Sequence, residues 1–247
     1  MQPMPPLTRL PDLAVQLADV GWAVLDAATL GSLAHLGLAD LQAWQPQWDD
    51  LPADAHLRDG GRYRRRRHGC MVVQSDSVVP APHRAHWQPV AYNALHGGFE
   101  RWFEPLPQAL TNSPAWQALL KALAGVADGL RGTQPWYVEA HPFRIDTAGG
   151  IGRPTPEGAH RDGVDLVAVL LVGRHNVKGG ETRVFEAEGT RGVRFVLQEP
   201  WSVLLLDDER VIHETTPIQP LVPDEPAWRD TLVLTYRRDS FQGPSTR

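Results

Sequence analysis

The chain has 247 residues, enough for a sizeable hydrophobic core, and its 42% hydrophobic and 21% charged residues exclude a disordered or fibrous protein. A formal charge of -5 argues against a general nucleic-acid partner, and no apolar run approaches the ~18 residues needed to span a bilayer. The lone Cys70 excludes an internal disulfide and points to a cytoplasmic, reducing setting.

In chain order, proline at a tolerated first helical position, with Leu13, Leu17 and Val20 on one face, predicts a short helix over 11–20. GWAVLD, residues 21–26, reads as a strand, and Asp26 can cap a second helix running to about Leu38. The strongest helical signal is SPAWQALLKALAGVADGL at 113–130, where Trp116, Leu119, Leu120, Leu123 and Val126 share a face behind a Ser113 cap and Pro114. Trp44, Trp48, Trp87 and Trp102 in this half are expected to pack between layers. From residue 133 the texture changes to short runs rich in Val, Leu, Ile and aromatics: PWYVEAHPFRI, VDLVAVLLV, TRVFEA, RGVRFVLQ, WSVLLLD and RDTLVLTYRR. The glycine pair in VKGG, 177–180, is expected to make a hairpin turn. Strands in series without helices between them predict a jelly roll. The expected architecture is α+β, one domain over 1–247: a helix-rich N-terminal layer with some strands over 1–132, and a jelly-roll core over 133–240 carrying the site.

His160 and Asp162 stand two apart at the mouth of the apolar run DLVAVLLV. On a strand, residues i and i+2 point to one side, so both side chains can aim at one point; Asp165 then faces away and is the weaker ligand. A third ligand must come from a distant strand, and LLLDDERVIHETTPI supplies His213. Two histidines and one carboxylate bind one face of an octahedral ferrous ion and leave three positions for a bidentate cosubstrate and dioxygen. Each element alone has a plainer reading, as a histidine bonded to an aspartate in a turn or a solvated histidine beside DDE; their conjunction carries the metal assignment. Arg229 and Thr231, two apart in AWRDTLVLTYRR, add a rigid guanidinium fork and a hydroxyl suited to the far carboxylate of a dicarboxylic keto acid.

His160-x-Asp162, His213 and Arg229-x-Thr231, in this order on short strands, resemble the iron(II)/2-oxoglutarate-dependent dioxygenase superfamily, whose double-stranded β-helix core is a cupin-like jelly roll. PEGAHRDGVDLVAVLLVGRHNVKGGETRVFE and DERVIHETTPI are similar to its bacterial branch, with amino acid hydroxylases of the L-isoleucine 4-hydroxylase type and biofilm-stress-and-motility (BsmA-like) proteins. The resemblance implies that His160, Asp162 and His213 hold Fe(II) as the catalytic metal, and that Arg229, helped by Thr231, pairs with the C5 carboxylate of 2-oxoglutarate. It also implies hydroxylation of a small molecule, a free L-amino acid, with release of succinate and carbon dioxide. A sensor that binds metal without turnover, a dioxygenase acting on a peptide or other metabolite, and a Zn(II) hydrolase remain alternatives; the Arg229 clamp weighs against the sensor.

For the substrate, RYRRRRHG at 62–69 is either a charged edge or the source of an arginine, within 62–67, turned toward a substrate carboxylate. Arg144 is a second candidate, with Glu139 for an ammonium group and Glu181 as a further site-facing carboxylate. Arg237 and Arg238 are the next arginines for 2-oxoglutarate should Arg229 not serve.

Overall fold

The computed structural model describes residues 3–244. Its elements in order are α1 (Leu13–Val20), β1 (Trp22–Leu25), α2 (Ala27–Ala34), α3 (Leu38–Gln42), β2 (Arg64–Arg66), β3 (Gly69–Val73), β4 (Val78–Pro80), α4 (Gln108–Thr111) and α5 (Pro114–Arg131). There follow β5 (Trp136–Asp146), β6 (Leu166–His175), β7 (Val177–Gly179), β8 (Thr182–Glu186), β9 (Gly192–Phe195), β10 (Val203–Asp207), β11 (Val211–Thr215), β12 (Ile218–Pro220) and β13 (Trp228–Arg237).

An eight-stranded antiparallel sheet runs in the order β1-β10-β6-β13-β5-β3-β4, with β2 also paired to β5. Two smaller sheets, β11-β8-β9 and β12-β7, complete the strand set. Because side chains alternate along a strand, the large sheet presents two chemically different faces. Val138 and Ala140 of β5, Leu166, Ala168 and Leu170 of β6, and Leu232, Leu234 and Tyr236 of β13 enter one core with the apolar stripes of α1, α2 and α5. The Tyr236 hydroxyl donates to the Leu120 carbonyl at 3.1 Å, pinning α5 to that face. On the other face Val167 and Leu171 of β6 and Leu204 and Leu206 of β10 pack against Val184, Phe195 and Val211 of the smaller sheet. Two facing sheets with helices outside form the double-stranded β-helix.

The strong elements fall where the sequence places them, with local exceptions. The second helix stops at Ala34, because His35 is left-handed (φ 54°), and Leu38–Gln42 is a separate helix. Asp26 does cap α2, accepting from the Thr29 amide at 2.7 Å, whereas Ser113 makes no side-chain cap. Trp44 and Trp48 are buried in edge-to-face contact with Trp201, Trp87 is half-buried, and Trp102 is exposed. Strands β3, β4 and β12 add to the expected set, β2 lies in the charged edge of 62–69, and β11 is the distant strand that carries His213. The glycines of VKGG do not make a hairpin: β7 pairs with β12 and β8 with β11, so the ladder continues past them and they supply a bend within one ribbon. Gly179 takes φ 80°, and a Cβ there would meet the Pro217 carbonyl oxygen at 2.3 Å. Gly179→Ala should therefore destabilise the protein by more than about 1 kcal/mol, read by chemical denaturation; an unchanged midpoint would contradict the bend.

Candidate active site

His160 precedes β6 rather than lying on it. It forms an isolated bridge with His213 of β11, the two backbones exchanging hydrogen bonds of 3.0 and 2.9 Å. That bridge, rather than regular strand alternation, brings the imidazoles together, with ring centroids 4.7 Å apart. Asp162 sits between them, Oδ1 3.8 Å from His160 Nε2 and Oδ2 3.8 Å from His213 Nε2. One donor atom from each of the three lies within 4.8 Å of the others. His160 Nδ1–H donates to the Gly158 carbonyl at 2.9 Å, which leaves the Nε2 lone pair free for a cation. Burial, and then the neighbouring His160, push the His213 pKa down to about 3, so this imidazole is neutral at physiological pH.

A residue outside the set expected from the sequence fixes this segment. Asp208, fully buried in the turn between β10 and β11, accepts from the amides of Asp162 (3.0 Å), Gly163 (2.7 Å) and Val164 (3.1 Å). Its carboxylate thus sets the path of the backbone that carries Asp162. Gln88 donates to Asp162 Oδ1 at 3.2 Å. The DDE acidity was visible; the three amides that consume it come together only in the fold.

Arg229 and Thr231 of β13 line the same cavity as the triad. Arg229 is 3% exposed, and among the described residues its Nε and Nη2 have no hydrogen-bond acceptor. Burial, then Arg174 nearby, lower its pKa to about 10, so it remains charged and lacks a counter-anion. A buried guanidinium without an acceptor costs free energy until an anion arrives.

The register extends this site-facing surface sideways. Arg229 pairs with Ile145 and Thr231 with Phe143 on β5, and those residues pair with Arg64 and Arg66 on β2. Within the basic run, therefore, Arg64 and Arg66 turn inward, while Arg65 points out toward Asp146. Next along lie His68, His86, Glu139 and His141, all buried and spaced as a metal site would be. Their hydrogen bonds argue otherwise. Glu139 Oε2 accepts from His68 Nε2 and His86 Nδ1, both at 2.8 Å, and Arg66 Nη2 donates to His141 Nδ1 at 2.6 Å. The arginine forces the His141 proton onto Nε2, the atom that would have to ligate. This cluster is a carboxylate tied down by imidazole N–H groups beside a guanidinium.

Glu139 is thus engaged and does not await an ammonium group. Arg144 lies on the opposite face, held by Asp230 at 2.7 and 2.8 Å and by Asp49 at 3.0 Å. Glu181 pairs with Arg183 at 2.8 Å and does not line the cavity. Asp165 faces away from the triad, as expected, and receives Arg131 and the Arg238 amide. Arg238 also pairs with Glu209, and Arg237 reaches the cavity rim while bonded to Ser240.

Comparison with known proteins bears on this geometry. The family model described as 2OG-Fe dioxygenase matches residues 45–235. The chain is 53% identical to a bsmA homolog from Methylobium petroleophilum PM1, whose crystal structure superposes with TM-score 0.93 over 98% of each chain. IDO from Bacillus thuringiensis shares the fold at 16% identity and TM-score 0.75, covering 94% of this chain and 99% of that one. The Fe(II)/α-ketoglutarate-dependent dioxygenase TqaL does so at 22% identity and TM-score 0.71, over 94% and 90%. No curated protein matches the sequence. Among the described residues no helix is long and apolar enough to cross a membrane.

Asp208→Asn keeps one acceptor oxygen for three amides, so affinity for a divalent cation at the triad should fall by about 10–100-fold, measured by Co(II) titration. Equal affinities would remove Asp208 from the support of the site.

Proposed function

Because the chain belongs to the 2OG-Fe dioxygenase family, an enzyme family that uses Fe(II) and 2-oxoglutarate, we propose that it hydroxylates a free L-amino acid. In this reading His160 Nε2, Asp162 and His213 Nε2 hold the iron, and Arg229 with Thr231 holds the C5 carboxylate of 2-oxoglutarate. The observation that carries it is Arg229: a buried guanidinium with two nitrogens lacking an acceptor, in one cavity with the triad. A fork of this kind suits a carboxylate, and a cation sensor has no use for it. When bound, iron and 2-oxoglutarate supply the oxidation, in which the keto acid loses carbon dioxide and the two atoms of dioxygen end in succinate and in the hydroxylated substrate.

The protein's own part is to bind, orient and exclude water. His160 is oriented by Gly158, and the Asp162 segment by Asp208. Val169, Val233 and Phe143 give the cavity apolar wall between its charged ends. The amino-acid assignment draws support from Glu157, whose Oε2 is buried in the cavity wall with no donor among the described residues. An acceptor so placed suits a substrate ammonium group. The buried, lone Cys70 keeps a reducing cytoplasm as the expected setting.

The test is succinate formation by the Fe(II)-loaded protein with 2-oxoglutarate and oxygen across the L-amino acids, with mass spectrometry of products. At least one amino acid should stimulate succinate release and gain one oxygen atom. Turnover that no amino acid stimulates would refute the substrate class, and no succinate at all would favour the sensor. His160→Ala and Asp162→Ala should abolish turnover. Arg229→Ala should raise the KM for 2-oxoglutarate by about 10-fold or more, through loss of a charge-assisted bidentate contact; an unchanged KM would transfer the role to another arginine.

A further inference from the structure

Arg229 is not alone in lacking an anion. Arg64 is ion-paired with Asp54 at 2.7 Å, whereas among the described residues neither Arg66 nor Arg101 has a carboxylate within 4.0 Å. Both are buried, 3% and 2% exposed, and both line the cavity of the triad. Their recorded acceptors are neutral: Arg66 Nη2 donates to His141 Nδ1 at 2.6 Å, and Arg101 Nη2 to Gln88 Oε1 at 2.9 Å. The Nε of each is buried without an acceptor among the described residues. Two like charges buried in one cavity repel each other and are poorly solvated; burial first, then Arg64, lower the Arg101 pKa to about 10.

Both are also held in place. The Arg66 guanidinium lies between the rings of Phe103 and Phe143, 4.0 and 4.4 Å from their centroids. Its acceptor His141 stacks on His68 at 4.9 Å, and His68 is tied to Glu139. Gln88, which receives Arg101, is braced by Asn93 at 3.1 Å and donates onward to Asp162 at 3.2 Å. Arg101 therefore stands one side chain from the triad, while β5 separates the strand of Arg66 from that of Arg229.

Building on the dioxygenase reading of the cavity, we propose that Arg66 and Arg101 form a carboxylate clamp for the substrate, distinct from the arginine that takes 2-oxoglutarate. Two planar forks braced from behind by neutral partners match a planar anion better than a lone ammonium side chain would. Gln88 is then a positioning residue between the clamp and Asp162. A small carboxylate held there extends toward the iron ligands.

The experiment follows the thermal unfolding midpoint of the metal-free protein in sodium acetate, against sodium chloride of equal ionic strength, and with each L-amino acid. Wild type and Arg65→Met, whose side chain points outward on the same strand, should be stabilised more by acetate than by chloride. Arg66→Met and Arg101→Met should lose most of that difference, Arg229 holding the remainder, bind any stabilising amino acid at least about tenfold more weakly, and unfold no earlier than wild type without ligand, because an unpaired buried charge is gone. A markedly lower midpoint in both variants would show structural arginines and overturn the clamp, as would an acetate effect as large in both variants as in wild type. Should one variant fail to fold, the other decides. Absence of succinate formation by wild type would defeat the iron and 2-oxoglutarate reading without altering the acetate result, so the two failures are separable.

Discussion

The ten-residue antiparallel pairing of β13 with β5, from Trp228 opposite Asp146 to Arg237 opposite Tyr137, is the constraint on which the site depends. A slip of one residue would turn every side chain of β13 over. Asp230 and Leu232 would then enter the cavity, and Arg229 and Thr231 would face the helices. The register is secured from both sides. Leu232, Leu234 and Tyr236 are buried under the helices, and Arg144 clasps Asp230 on the same face. Asp230 is itself buried enough for its pKa to rise to about 6 despite that arginine, so its burial has an electrostatic cost. Apolar packing on one face thus fixes the polar arrangement on the other.

The polar face is electrostatically incomplete in a consistent way. Structural charges are matched: Arg64 with Asp54, Arg131 with Asp207, Arg144 with Asp230. In the cavity, among the described residues, Arg66, Arg101 and Arg229 have no carboxylate partner, and Arg64 Nη2, His213 Nδ1 and one oxygen of Glu157 are buried without a hydrogen-bond partner. A folded chain tolerates such groups where ligands supply the missing partners. The neutral histidines around Glu139 brace Arg66 without cancelling its charge.

Much of this was legible in the sequence because its signals are local. Short runs rich in Val, Leu, Ile and aromatics located β5, β6, β10 and β13 to within two or three residues, and helical spacing located α5. His160, Asp162, His213, Arg229 and Thr231 do line one cavity. What was not legible depends on long-range pairing. The inward turn of Arg64 and Arg66 follows from the register of β2 on β5, which four consecutive arginines cannot reveal. Spacing alone predicts a regular strand at His160 and Asp162, yet the segment is shaped by a bridge to His213 and by a carboxylate 46 residues beyond Asp162. Arg144 and Glu139 stand five residues apart on one strand, with nothing local to say which of them faces the site. Strand alternation, once the register is known, sends one to each face.

The most direct measurement is a crystal structure of the protein grown without oxygen with Fe(II) and 2-oxoglutarate. The account predicts iron bound by His160 Nε2, Asp162 and His213 Nε2, with the far carboxylate of the keto acid on the Nε and Nη2 of Arg229. Metal bound instead among His68, His86, Glu139 and His141, or a keto acid that leaves Arg229 without an acceptor, would contradict it.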